Sequence, residues 1–338
     1  MGLPIIGFAT STGALREAYR RMKDRPVPQL SRPVHGGPSG IIQAHSLDPE
    51  LIDKVFTTLS TLDGSGPLSW PEREVVNTTT SSLNHSTYCT ACHAESLRVA
   101  LEGKHPGLPR TLVEAPRAPI EAPPRLRAVA ELAKAVTLEP WNLSRTHREH
   151  AYEANLSDDE ILHAIALSAC FGHLNRIASV VELPLDYVVE IEPPRPDAAV
   201  PAHAPAPIAM TARPALELSR RPATASAIAG WRSYVFDRDA PLGRRQRTVV
   251  ARWVAFWLGD GGISAPTDLT VNPLDDALRE LAELVTLAPW RITDESFTRL
   301  RDVGFDDQQL FDACVVASSA GVFSRITVAL AALSRERS

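Results

Sequence analysis

Residues 86–93 read STYCTACH. Two of the four cysteines in the chain, and one of its ten histidines, fall between positions 89 and 93. Three chemistries fit this string. Cys89-Thr90-Ala91-Cys92-His93 is literally C-x-x-C-H, the attachment pattern of a c-type haem. His85, Cys89 and Cys92 stand at i, i+4 and i+7 with His93 adjoining, a set of thiol and imidazole ligands able to hold zinc. Cys89 and His93, at i and i+4 of a helix, set a thiol one turn from a proton acceptor. Cys92, at i+3, is then close enough to Cys89 for a disulfide.

The surroundings weigh these readings differently. A c-type haem needs thioether attachment, usually made outside the cytoplasm, and an axial partner. Methionine is scarce, three in all, and Met210 sits in a Pro/Ala-rich stretch. The opening MGLPIIGFATSTG has an apolar patch but neither the positive n-region nor the h-region length of a signal peptide. No uninterrupted apolar run is long enough to span a bilayer, so a cytoplasmic protein without membrane contact is expected. A zinc site normally draws ligands from separated segments, and nothing elsewhere pairs obviously with these. No resident metal or other cofactor is expected.

The elements that must position the thiols are helical. In LSWPERE, Ser69 is placed to cap a helix, Glu72 to reach back to it, and Pro71 to fall in the tolerant first turn. The pattern runs on through EVVNTTTSSL and stops near Asn84-His85. A second helix starts with Ser86 as N-cap, placing Cys89 in its first turn. Backbone N–H groups and the helix dipole there favour a thiolate, so a depressed pKa is expected for Cys89.

With these residues in view, the chain resembles the carboxymuconolactone decarboxylase/alkylhydroperoxidase superfamily, in its peroxidase-related branch. That family carries an acidic residue in one helix and N-x-C-x-[YH]-C-x-x-x-H opening the next. Here Asn84, Tyr88, Cys89 and His93 fall on matching positions, and Glu74 falls where the proton-relay glutamate sits. SLDPELIDKVFTTL, LSWPERE and AIALSACFGHLNRIASVV also look like family segments, so the resemblance covers most of residues 10–190. It implies an all-α bundle in which Cys89 attacks a hydroperoxide, His93 and Glu74 relay protons, an external dithiol donor restores the thiol, and copies assemble as homo-oligomers. Ser86 stands where the family has its resolving cysteine, which leaves Cys92 as the local substitute. Tyr88, Ser86 and His85 are expected to line the substrate pocket. Loss of the first cysteine also fits a member without activity, and lactone decarboxylation or isomerisation needs no redox dithiol.

Composition agrees with a globular protein. The 338 residues are 44% hydrophobic and 22% charged with net charge −5. There is no basic stripe, so nucleic acid is not an expected partner. β-Branched alternating runs are nearly absent, whereas RAVAELAKAV, DEILHAIALSACFGHLNRIASVV and DDALRELAELV carry apolar residues at helical spacing. ELAKAVTLEPW from Glu131 recurs as ELAELVTLAPW from Glu280, an offset of 149 that persists without gaps through DDEILHAIALSACFGHLNRIA and DQQLFDACVVASSAGVFSRIT. Pro140, Trp141, Gly172 and Arg176 thus match Pro289, Trp290, Gly321 and Arg325. The expected architecture is all-α, two pseudo-symmetric helical bundles in tandem: 1–191 with the Cys/His motif, a Pro/Ala-rich linker 192–214, and 215–338 as a degenerate copy without it.

Other polar residues read as structural. Cys170 and Cys314 lie in apolar contexts and pack as small hydrophobes. His163 and His173 sit on an amphipathic helix as packed or surface histidines. Trp141 and Trp290 read as core anchors. Arg176 and Arg325 recur in both repeats, only one of which has thiols, so each is expected to fix helix packing through a carboxylate partner. HPGLPRTLVEAPRAPIEAPP is expected to cross the surface of the first half as a loop.

Overall fold

The computed structural model describes residues 2–23, 37–64, 66–193, 198–208, 220–266 and 272–335. Among these residues the protein is all-α, with no strand beyond a single isolated bridge between Ile208 and Asp260. The first half contains α1 (Gly13–Lys23), α2 (Gly40–Gln43), α3 (Pro49–Asp63), α4 (Trp70–Leu83), α5 (Thr87–Ala100), α6 (Leu108–Glu114), α7 (Pro124–Leu138), α8 (Arg145–Glu153) and α9 (Asp158–Val180). The second contains α10 (Pro222–Phe236), α11 (Arg244–Trp257), α12 (Pro273–Leu287), α13 (Thr298–Asp302) and α14 (Asp307–Leu333).

Local chemistry explains the helix starts. Asp48 caps α3 by accepting from the Leu51 N–H at 3.2 Å, with Pro49 in the first turn. Glu72 reaches back 2.7 Å to the Ser69 N–H at the start of α4. Ser157 and Glu160 close the same kind of box on α9, and Asp306 with Gln309 on α14. Both ends of α7 recur in α12, and the start of α9 recurs in α14, at the 149-residue offset seen in the sequence, as do the 3-10 turns Pro140–Asn142 and Pro289–Arg291; α14 runs four residues further than α9.

The centre of the molecule is the packing of α9 against α14. Both helices are apolar nearly all round and buried along their length, so each has the length and hydropathy of a membrane span. Here those faces are covered by protein instead, α9 wholly and α14 over 94% of its most apolar window. One continuous hydrophobic cluster runs from Leu3 through α3, α4, α7 and α9 into α11, α12 and α14. The two halves share a core.

Three expectations change. The Pro-rich stretch after α5 is more than a surface loop: it contains α6, whose Leu108, Leu112 and Val113 are buried. Residues 198–208 of the expected linker pack along the end of α11, with the Ala204 and Ile208 N–H groups donating to the Trp257 and Gly259 carbonyls at 2.8 Å each. Positions 194–197 and 209–214 of that linker lie outside the described residues. Finally, Arg176 and Arg325 take backbone carbonyls, not carboxylates, as partners.

Candidate functional site

Helices α4 and α5 form a helix–turn–helix at whose bend the sequence motif sits. Asn84 ends α4, His85 turns the chain with φ 52°, and Ser86 precedes α5. A β-carbon makes that φ unfavourable, so the bend must be held from outside. Asn175 of α9 holds it on both sides, accepting from the Asn84 amide at 2.9 Å and donating to the Ser81 hydroxyl at 3.0 Å. Ser86 occupies the N-cap position of α5, but its side chain makes no capping bond.

Beneath this bend Glu74 of α4 meets His93 of α5. The carboxylate is 1% exposed and lies 2.7 Å from Nδ1 of the imidazole. Burial pulls the His93 pKa down, yet the charge and hydrogen bond of Glu74, with the charge of Asp63, outweigh it and leave His93 raised above its ordinary value. The edge of Phe171 on α9 closes the other side of the ring, with centroids 4.8 Å apart.

Asp63, the last residue of α3, belongs to this cluster and was not singled out from the sequence. Burial, with the charge of Glu74, pushes its carboxyl up to about 6, against the opposing pull of His93, Arg73 and the Asn77 amide. Its Oδ1 is buried and has no hydrogen-bond partner. No local signal identifies it, because it closes a helix that packs from elsewhere in the chain.

Both motif thiols are reduced and buried, Cys89 2% and Cys92 5% exposed. The depressed pKa expected for Cys89 is not found. Burial pushes its thiol above the ordinary value, and the Ser86 and Asn175 side chains offset this only in part. The first-turn dipole argument assumed a solvated helix end, whereas this one is enclosed by α4 and α9. The Ser86 hydroxyl has no partner of its own, so it is available as a donor to a Cys89 thiolate. Cys92 is raised further, by burial and by the charge of Cys89.

The remaining candidates divide. Tyr88 is buried beside Cys92, Asp186 and Tyr187, with the two tyrosine rings 6.4 Å apart. His85 points elsewhere: its ring packs edge-on against Trp290 at 4.5 Å, and it lines a cleft of about 560 Å³ with Arg117, Glu139 and Pro201. Burial, then the charge of Arg117, lowers its pKa. Among the described residues no three of His, Cys, Asp or Glu converge in a way that could hold a metal ion.

The arrangement therefore offers a carboxylate-backed imidazole and an unionised buried thiol one helical turn away from it, with a second thiol at i+3. Such an arrangement can carry out proton transfer, and a thiol in it is a nucleophile once deprotonated.

No known family's sequence pattern matches the chain, and no curated protein matches it. Among solved structures, the alkylhydroperoxidase AhpD core, an uncharacterized peroxidase-related protein from Ralstonia eutropha JMP134, is similar at 21% identity and TM-score 0.45, over 55% of this chain and 96% of that one. An uncharacterized peroxidase-related protein from Silicibacter sp. TM1040 is similar at 26% identity and TM-score 0.38, over 43% of this chain and 74% of that one.

Proposed function

We propose that the protein is a thiol-dependent peroxidase of the alkylhydroperoxidase D-like kind, with Cys89 as the attacking thiol. The observation that carries this reading is the 2.7 Å contact between Glu74 and His93 on the helix that presents Cys89. A thiol raised by burial is a poor nucleophile until a base takes its proton, and a histidine held in one tautomer by a carboxylate is such a base. The Cys89 thiolate, receiving a hydrogen bond from Ser86, attacks the outer oxygen of a hydroperoxide. The S–O bond forms, the O–O bond breaks, and the leaving alkoxide takes the proton held on His93. Cys92 then attacks the sulfenic sulfur, releasing water and forming a disulfide, which an external dithiol reduces.

The chain is a tandem duplicate in this proposal. The common 149-residue offset of α7 with α12, and of the start of α9 with that of α14, supports that, as does the recurrence of buried Val75-Val76 of α4 as Val249-Val250 of α11. Among the described residues the second copy has no counterpart of the helix that carries the thiols, and it serves as scaffold.

Peroxide turnover with an external dithiol, compared for wild type, Cys89→Ser and Cys92→Ser, tests the reading. Cys89→Ser is expected to abolish turnover. Cys92→Ser should allow one turnover and then leave Cys89 over-oxidised, visible by mass spectrometry. If Cys89→Ser retains wild-type turnover, the peroxidase reading is wrong.

A second reading is favoured by one observation: the Glu74–His93 pair is complete without either sulfur. Acid–base chemistry of the lactone decarboxylase or isomerase kind would need that pair and leave both cysteines as packing. It predicts an activity lost in His93→Gln and retained in Cys89→Ser.

A further inference from the structure

Asn175 of α9 is fully buried and lies far from the motif in sequence, yet three residues of the thiol region meet its amide. Its Oδ1 accepts from the Asn84 amide at 2.9 Å, and its Nδ2 donates to the Ser81 hydroxyl at 3.0 Å. Both partners belong to the end of α4, just before His85 turns the chain with φ 52°. The third residue is Cys89. The Asn175 side chain, with that of Ser86, favours its thiolate against the opposing effect of burial.

A carboxamide has two donor hydrogens and an acceptor oxygen. With Oδ1 engaged by Asn84 and one Nδ2 hydrogen by Ser81, the second Nδ2 hydrogen is the group left to meet the sulfur. A neutral donor suits this place. It stabilises a buried anion, which is costly without hydrogen bonds, and adds no further charge to be buried.

The two halves separate this role from packing. At the 149-residue offset Gly172 and Arg176 recur as Gly321 and Arg325, but Asn175 meets Ser324. Ser324 is as deeply buried, at 1% exposure. With Val75-Val76 set on Val249-Val250, Glu74 likewise meets Thr248. The half without the Cys/His motif thus keeps the packing residues on either side of this position and has neither the amide nor the carboxylate.

We propose that Asn175 is a positioning residue of the thiol centre: it holds the bend that carries Cys89 and presents its second amide hydrogen to the sulfur as the thiol ionises. The inference rests on the reading of Cys89 as the attacking thiol. The thiolate then has two donors, Ser86 at the start of α5 and Asn175 from α9, while the proton passes to His93 as before. The titratable groups gathered around it are Cys92 and His93 on α5, Glu74 on α4 and Asp63 on α3. On α9, Arg176 is engaged by the Gly172 and Thr286 carbonyls.

The test is the rate at which iodoacetamide alkylates Cys89 at pH 8 in the full chain. Cys92 is the internal reference, and both are read by fragment-ion mass spectrometry. Below the thiol pKa the rate follows the thiolate fraction, so losing one hydrogen bond to the anion lowers it about tenfold. Asn175→Ser, which installs the residue of the second half, should lower Cys89 alkylation by about that factor relative to Cys92. Ser81→Ala removes the adjacent clamp bond and leaves the amide, so it should keep the ratio near its wild-type value. Looser packing has the opposite effect, because opening a buried thiol speeds its alkylation. A ratio that Asn175→Ser leaves unchanged or raises, or that Ser81→Ala lowers equally, overturns the proposal. Asn175→Ala, read in the same way, carries the test if the serine variant does not fold. The assay uses no peroxide: a wild type without peroxide turnover counts against the peroxidase reading alone and leaves this measurement to decide the role of Asn175.

Discussion

His93 Nδ1 lies 2.7 Å from a Glu74 carboxylate oxygen although the two residues are 19 positions apart and on different helices. With Nδ1 donating to the carboxylate, Nε2 is left as the acceptor, so the contact fixes both ring orientation and tautomer. It also fixes which way the imidazole responds to pH.

Glu74→Gln removes the charge that opposes burial, so the His93 pKa should fall. Because His93 is raised in the folded protein, the stabilisation it provides is full below the unfolded value of about 6.5 and is lost as pH rises through its folded value. The variant should lack that acid-side stabilisation, and the His93 titration followed by NMR should move to lower pH. Turnover should drop by about 10²- to 10⁴-fold if the pair acts as general base. An unmoved titration would disprove the charge coupling.

Asp63 contributes a pH dependence of the same sign, because its folded pKa is raised as well. Its carboxyl is raised to about 6, so its penalty is absent below the unfolded value of about 4 and grows as pH rises through 6. Asp63→Asn should therefore stabilise the protein by about 3 kcal/mol at pH 7.5 and change little at pH 4. Urea unfolding at the two pH values reads this out. Equal stabilisation at both would place the effect outside titration.

Ser86→Cys tests the missing thiol directly. The Ser86 side chain makes no capping bond, so the substitution should change stability by less than about 1 kcal/mol. The new sulfur would stand three residues from Cys89 at the helix start. Mild oxidation should then give an intrachain disulfide between these two positions, seen as a loss of two mass units in the peptide containing both. A disulfide that still forms between Cys89 and Cys92 instead would show that a thiol at position 86 does not displace Cys92 as the resolving partner.

In the second half, Asp312 of α14 is 2% exposed and accepts from Arg247, from Arg238 at 2.5 Å and from the Leu242 N–H at 2.9 Å. Asp312→Ala leaves the buried Arg247 guanidinium without its counter-ion. A loss of about 3–5 kcal/mol is expected in denaturant unfolding. Arg238, which also pairs with Asp48 at 2.8 Å, should retain that contact.

Helix starts were legible because capping is local: Ser69 with Glu72 announces α4, and Asn84-His85 announces its end. The offset carried by the residues themselves reappears at both ends of α7 and α12 and at the starts of α9 and α14. Enclosure was not legible. Cys89 at a helix start reads as solvated until α9 is seen to cover it, and that inverts the direction of its shift. Asp63 carries no motif and matters only because α3 ends beside α4. Arg176 and Arg325 invited a carboxylate partner, because sequence shows charge but cannot show which carbonyl a helix crossing brings near.

The crossing of α9 with α14 has one more effect. The apolar surface that α9 buries is supplied by the same polypeptide, so the effective concentration of its mate is set by chain connectivity and not by how much protein is present. Diluting the protein cannot separate the halves, and their association is a unimolecular event that occurs once, at folding.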